Sequence, residues 1–170
     1  MGGRREQKNH WVAQDAFCKM KVSCSNRQSD LRVDSTRVEG VVKSVLDMKG
    51  VVCDAVFVHL VDIEVSCALH RQYFRRPGPT DSMSFPISSP SDPKDGWFIL
   101  GEIVVCPAVA KKYASVHHLD PHEELTLYLV HGLLHLIGFD DRTGSQRRQM
   151  RVEEGRCLKY LSGHCMGLRL

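Results

Sequence analysis

The chain has 170 residues, 42% of them hydrophobic and 25% charged, with a net charge of +3, so it holds one substantial core and is most simply a single domain. Its longest apolar run, LTLYLVHGLLHLIG, is too short to cross a bilayer and contains two histidines, which excludes a transmembrane helix of ordinary kind. The seven cysteines are odd in number and form no CxxC pair, and the start has no hydrophobic signal core; this predicts reduced thiols in a cytoplasmic protein and disfavours a disulfide framework or a zinc ribbon.

Residues 1–17 read as a polar N-terminal arm, followed by one domain over 18–170. CKMKVSCS alternates enough for a first strand, and Val38, Val41, Val42, Val45 and Leu46 then recur at helical spacing from Asp34 to Met48, with Gly50 as a stop. CDAVFVHLVD is rich in β-branched residues and alternates around Ala55, Phe57 and His59, as a strand does. A short helix is expected from Ile63 to about Phe74, broken by RRPGPTDS. SMSFPI reads as a short strand stopped by Pro86, SSPSDPKDG as a polar loop, and WFILGEIVVCP as a strand ended by Pro107.

DPHEE then carries a helix-start signature: Asp120 as N-cap, Pro121 at the first helical position and Glu123 three residues after the cap. That helix is expected to reach about Ile137 and to end at Gly138 in a left-handed cap, and a last helix to cover about Ser145 to Leu161. The fold class is α+β: a mixed sheet of about four strands with a central buried helix that carries the histidines.

On that helix Tyr128, His131 and His135 share one stripe. Two imidazoles one turn apart chelate a single metal ion with little strain; the plainer alternative is a pair of core histidines bonded to backbone or carboxylates. Gly138 lets the chain reverse, so Asp141, six residues beyond His135, is far enough along to return as a third ligand, and Asp140 can equally bond a ligand histidine; spacing leaves the choice between the two open. Gly132 stands where an HExxH peptidase carries its glutamate base, which argues against that chemistry. His117, His118 and His122 lie at or before the helix start and read as surface histidines, and Cys106 reads as a buried small residue. The basic clusters Arg71, Arg75 and Arg76; Lys111 and Lys112; and Arg142, Arg147, Arg148 and Arg151 either hold phosphates or form solvated faces.

HGLLHLIGFDD resembles the H-G-x-L-H-L-x-G-Y/F-D-H signature of the YbeY family of rRNA maturation factors. PTDSMSFP is similar to that family's P-T-D/N-V-L-S-F-P strand and LGEIVVC to its L-G-D-I strand, in the same order, and the resemblance covers about Cys18 to Leu161. It implies a zinc-dependent, single-strand-specific endoribonuclease acting in ribosomal RNA maturation at the 3′ end of the small-subunit RNA and in ribosome quality control. It also implies one Zn(2+) ion and association with the small ribosomal subunit and an Era-type GTPase. The implied metal ligands are His131, His135 and Asp141, the last in place of the family's third histidine. A second departure is Phe74, where the family usually has arginine, with Arg75 one place later. Arg75 is the candidate for stabilising charge on the phosphate; Glu102 is either an orienting or base carboxylate or a strand-edge group facing solvent. Thr80 and Asp81 either meet the substrate backbone or shape the turn after Pro79, with the turn the simpler reading for Thr80; the role of Ser84 stays open. The alternatives are a non-catalytic ribosome-assembly factor with a structural metal and a hydrolase acting on something other than RNA.

Overall fold

The computed structural model describes residues 20–89 and 96–169; the expected arm over 1–17, the first residues of the expected opening strand and most of the polar loop lie outside the described residues. The elements run β1 (Lys21–Arg27), α1 (Ser35–Met48), β2 (Ala55–Val61), α2 (Ile63–Phe74), β3 (Ser82–Pro86), β4 (Ile99–Val105), α3 (Pro107–His117), α4 (Pro121–Leu136) and α5 (Gly144–Gly163). The strands form one mixed sheet in the order β1-β2-β4-β3. β1, β2 and β4 are parallel, and β3 runs antiparallel to β4 along one edge. This is the expected α+β fold with a four-stranded mixed sheet.

The register between β2 and β4 slips by one residue: Ala55 faces Ile99, but Val56 faces Gly101. Such a bulge re-aims the side chains that follow it. Beyond it, Ile103 and Val105 enter the main core, whereas Val104 joins a small cluster with Val61 and Met83 on the other face, under Leu69 of α2. The deeply buried set of β2 is Val56, Val58 and Leu60, which meets Val38, Val41, Val42 and Val45 of α1 in the main core.

The apolar run of the sequence becomes α4. Asp120 accepts the N–H groups of His122 and Glu123, satisfying two donors that the first turn leaves open, and Pro121 follows at the first helical position. Leu125, Leu129, Leu133 and Leu134 are wholly buried, and the helix packs against β3, β4, α1, α3 and α5. It ends at Leu136, and Gly138 takes a φ of 99° in the turn that follows, a conformation that favours glycine.

Sequence reasoning passed over α3. Pro107 is not only the end of a strand; it opens an 11-residue helix whose cap, Cys106, gives no side-chain hydrogen bond. Only Pro107, Ala110 and Ala114 of this helix are buried, so its apolar stripe is made of small residues and leaves a faint periodic signal. At the other end of the domain, the capping box between Thr143 and Gln146 starts α5. An ion pair between Lys49 and Glu153, little exposed to solvent, then ties α5 to the end of α1. The tail after α5 folds back over α4: Leu168 is buried, its N–H donates to the Thr126 hydroxyl at 3.2 Å, and Arg37 donates to the Gly167 carbonyl at 3.3 Å. No described helix is long and apolar enough to cross a membrane.

Gly132 is where α4 meets the sheet. A Cβ there would lie 2.6 Å from Ile103 Cγ2 and 3.2 Å from Ser84 Oγ, and the Ser84 hydroxyl donates to the Gly132 carbonyl at 2.9 Å. Ile103 is β-branched and wholly buried, so it has little freedom to yield. Gly132→Ala is expected to destabilise the fold by about 1–3 kcal/mol despite alanine's better helix propensity, read as a lowered urea midpoint with an unchanged m-value.

Candidate metal centre

The contact at Gly132 sets the rotation of α4, and its neighbour His131 and the next turn's His135 emerge half-buried beside α5. His135 Nδ1 lies 3.0 Å from the Phe139 carbonyl, which can only accept, so Nδ1 carries the hydrogen. His131 Nδ1 lies 2.7 Å from Glu154 Oε1 on α5, and the same reasoning puts a hydrogen on that nitrogen. In the neutral rings both Nε2 atoms therefore present lone pairs, and these face each other 3.0 Å apart. Two lone pairs at that distance repel unless a proton or a cation lies between them.

The third donor comes from the turn after α4. Asp140 accepts the N–H of Asp141 at 2.8 Å and pairs with Arg142, while Arg147 donates to the carbonyls of Asp141 and Arg142. Held this way, Asp141 brings a carboxylate oxygen to the imidazoles, and the ligand atoms of His131, His135 and Asp141 all lie within 4.8 Å of one another. Two imidazoles and a carboxylate are a donor set that zinc accepts, with bonds of about 2.0–2.2 Å and room for a fourth position. The residues fit a single divalent ion.

The electrostatics agree with a cation-seeking site. Burial acts to lower the pKa of His131, but the Glu154 hydrogen bond and the charges of Asp81, Glu154 and Asp141 outweigh it and hold the imidazole above its ordinary value. Beside it on α4, burial pushes the Tyr128 phenol far up, with the Glu124 carboxylate and the Asp81 charge adding to the shift. Asp81 thus acts on both side chains; its Oδ1 is held by the Thr80 hydroxyl at 2.9 Å and the Ser82 N–H at 2.7 Å.

The other sequence candidates fall elsewhere. Glu102 sits 3.4 Å from His59 in the groove that α2 borders, on the sheet face opposite the Ile103 side that meets α4, so the structure does not bring it to the three ligands. Arg75 is the exposed left-handed cap of α2, and among the described residues its side chain makes no hydrogen bond or ion pair with the ligand group. Thr80 is tied through both backbone groups to Ser66 Oγ, as a turn-shaping residue is, and Ser84 is committed to Gly132. His122 bonds the Arg32 carbonyl, His117 stacks on Tyr113, and His118 caps α3. Cys106 is buried, and burial raises its thiol pKa, which suits a packed residue better than a nucleophile.

Glu154 was missed, although a signal existed. Met150, Cys157 and Leu161 are the buried apolar residues of α5, and the half-buried Glu154 borders them beside the buried Glu153, so carboxylates stand on an inward face. Such a carboxylate has to find a partner inside, and here it finds the outer nitrogen of a ligand histidine.

A mixed sheet carrying a helix with paired imidazoles, completed by a carboxylate from the following turn, defines an α+β protein with a three-donor centre suited to one metal ion. The family description Endoribonuclease YbeY matches residues 23–162. The chain is 43% identical over 140 residues to the Endoribonuclease YbeY of Protochlamydia amoebophila, covering 82% of this chain and 92% of that relative. It is 32% identical over 146 residues to the Endoribonuclease YbeY of Chlamydia pneumoniae, covering 84% and 92%. The solution structure of TM1509 from Thermotoga maritima superposes with a TM-score of 0.59 at 22% identity, covering 85% of this chain and 91% of that one, which shows a shared fold. The chain belongs to the endoribonuclease YbeY family.

Two outcomes are expected in zinc titrations. Asp141→Ala weakens binding by more than about 100-fold and Asp140→Ala much less, while Glu154→Ala, which removes the orienting partner of His131, costs about 10- to 100-fold. Metal and proton compete for His131 Nε2, so binding releases protons and affinity falls as the pH drops through the raised His131 pKa. Calorimetry in buffers of different ionisation enthalpy measures that release; a proton count that stays at zero below neutral pH contradicts the assignment.

Proposed function

We propose that this chain is a metal-dependent endoribonuclease that cuts single-stranded RNA during ribosomal RNA maturation, at the 3′ end of the small-subunit RNA. The observation that carries this reading is the pair of imidazole Nε2 atoms facing each other at 3.0 Å beside Asp141, in a member of a family named for endoribonuclease activity. One Zn(2+) ion suits the donor set best, and the carboxylate makes manganese more acceptable than three histidines would. The small ribosomal subunit and an Era-type GTPase are the partners proposed, and the cytoplasm the location. A purely structural metal is not favoured, because the three ligands are half-exposed rather than sealed inside the fold, and a structural zinc site is usually closed.

When bound, a divalent ion at this site supplies Lewis acidity toward a phosphate oxygen and acidifies water. The chain does the rest. Glu154 keeps the hydrogen on His131 Nδ1 and the Phe139 carbonyl keeps it on His135 Nδ1, so both Nε2 atoms stay fixed as donors to the ion. Asp141 contributes a negative charge where a third histidine would be neutral, which leaves the centre a weaker Lewis acid than a three-histidine set. Asp81, whose charge reaches His131, is the carboxylate we assign to accept the proton of the attacking water, because its Oδ2 is not engaged by Thr80 or Ser82. Arg75, one residue past Phe74, is proposed to meet the substrate phosphate from the exposed end of α2.

Metal analysis combined with cleavage of a single-stranded RNA by wild type and His135→Ala tests the proposal. Wild type is expected to carry about one equivalent of metal and to cut the RNA. The variant should lose the metal and at least about 100-fold in rate, equivalent to about 2.7 kcal/mol of transition-state stabilisation. Equal cleavage by both proteins would indicate a contaminating nuclease and overturn the enzymatic reading.

A further inference from the structure

We infer that the C-terminal end of α2 and the outer face of β3 form a base-stacking subsite for single-stranded RNA, separate from the metal centre. This rests on the RNA-cleaving function proposed above. Tyr73 and Phe74 are large aromatic residues left 56% and 47% exposed, and both rings meet Phe85 of β3. Tyr73 contacts it edge-on with centroids 5.0 Å apart, and Phe74 is tilted at 6.2 Å with His70 behind it at 5.7 Å. The platform is therefore held by its own packing while keeping aromatic surface in solvent. It borders a groove of about 770 Å³ between α2 and the sheet, lined also by Arg27, His59 and Ile87.

Three arginines flank the two rings along the chain. Arg71, Arg75 and Arg76 are exposed, and among the described residues none of them forms an ion pair. Two carboxylates of the groove are occupied: Asp62 caps α2 through the Val65 N–H, and Glu102 faces His59. Exposed rings interleaved with unpaired cations are what a single strand requires, because bases stack on the rings and the backbone follows the charge. A buried interface for a protein segment would instead leave unpaired arginines to be desolvated.

The platform also lies within reach of the metal centre. Ser84 points through β3 to the carbonyl of Gly132, next to the ligand His131, while the adjacent Phe85 points to the other face. β3 is an edge strand, so a single strand can bend around that edge from the rings to the metal. A duplex cannot present stacked, unpaired bases to the rings, and the subsite thereby favours single-stranded substrate.

Binding of a short 2′-O-methyl oligoadenylate, and of an abasic ribose-phosphate chain of the same length, to the full-length protein tests the inference by fluorescence anisotropy. Phe74→Ala and Tyr73→Ala are each expected to raise Kd for the oligoadenylate about fivefold or more, with little change for the abasic chain, and Phe74→Trp to restore the affinity. Replacing Arg71, Arg75 and Arg76 together by glutamine should lower the salt dependence, log Kd against log salt, by about 2, whereas the ring variants leave it unchanged. Circular dichroism confirms folding, which these exposed positions should not disturb. Unchanged Kd in both alanine variants would overturn the subsite and direct the patch toward a protein partner. A wild type that binds neither chain would overturn the RNA-cleaving function itself.

Discussion

The backbone of α4 lies against the sheet at Gly132, with Ile103 on one side and the Ser84 hydroxyl bonded to its carbonyl on the other. A second close approach lies one turn on, where a Cβ at Gly101 would stand 2.8 Å from Leu136 Cδ2 and 2.5 Å from the Phe85 carbonyl. Together they fix the height of the helix above the strands and its rotation about its own axis. Everything chemical in the molecule inherits that placement. The side of α4 next to the glycine presses on the strands, and His131 and His135 project half-exposed toward α5 and the returning turn. The residue after the first histidine faces Ile103, so a glutamate base of the HExxH kind has no space there; Gly132 is a packing requirement before it is a missing catalyst.

Much of this was legible in the sequence because it is local. Asp120-Pro121 announces a helix start, Gly138 its end, and the valines of α1 repeat at helical spacing, each through physics confined to a few residues. The closeness of the two histidines was legible for the same reason, since residues four apart on a helix must be neighbours. What stayed hidden was made by distance. Glu154 meets His131 across 23 residues, and Glu102 and Ile103 are consecutive yet face opposite sides of the sheet, a distinction that depends on how the bulge at Ala55 and Val56 aligns β4 with its neighbour. The helix α3 was hidden differently: alanines bury too little area to stand out from a neutral background.

The centre is held by negative groups in layers. Asp141 completes the three-donor group, Glu154 lies behind one imidazole, and Asp81, the residue before β3, acts on the same ring. Without a cation this arrangement draws a proton to His131; with one, the same carboxylates make the imidazole a better electron donor. The arrangement is anchored by α5, whose Glu153 pairs with Lys49 next to the residue that serves the metal. Consecutive glutamates thus divide two tasks, one joining helices and the other orienting a ligand.

The segment after α5 gives the fold a dependence on Gly167 and Leu168. Leu168 fills a buried position and its amide is bonded to Thr126, on the helix that also carries the histidines. Whatever draws this segment away removes a buried leucine worth about 2 kcal/mol and leaves the Thr126 hydroxyl without that donor. The integrity of this segment therefore bears on the helix that carries the histidines.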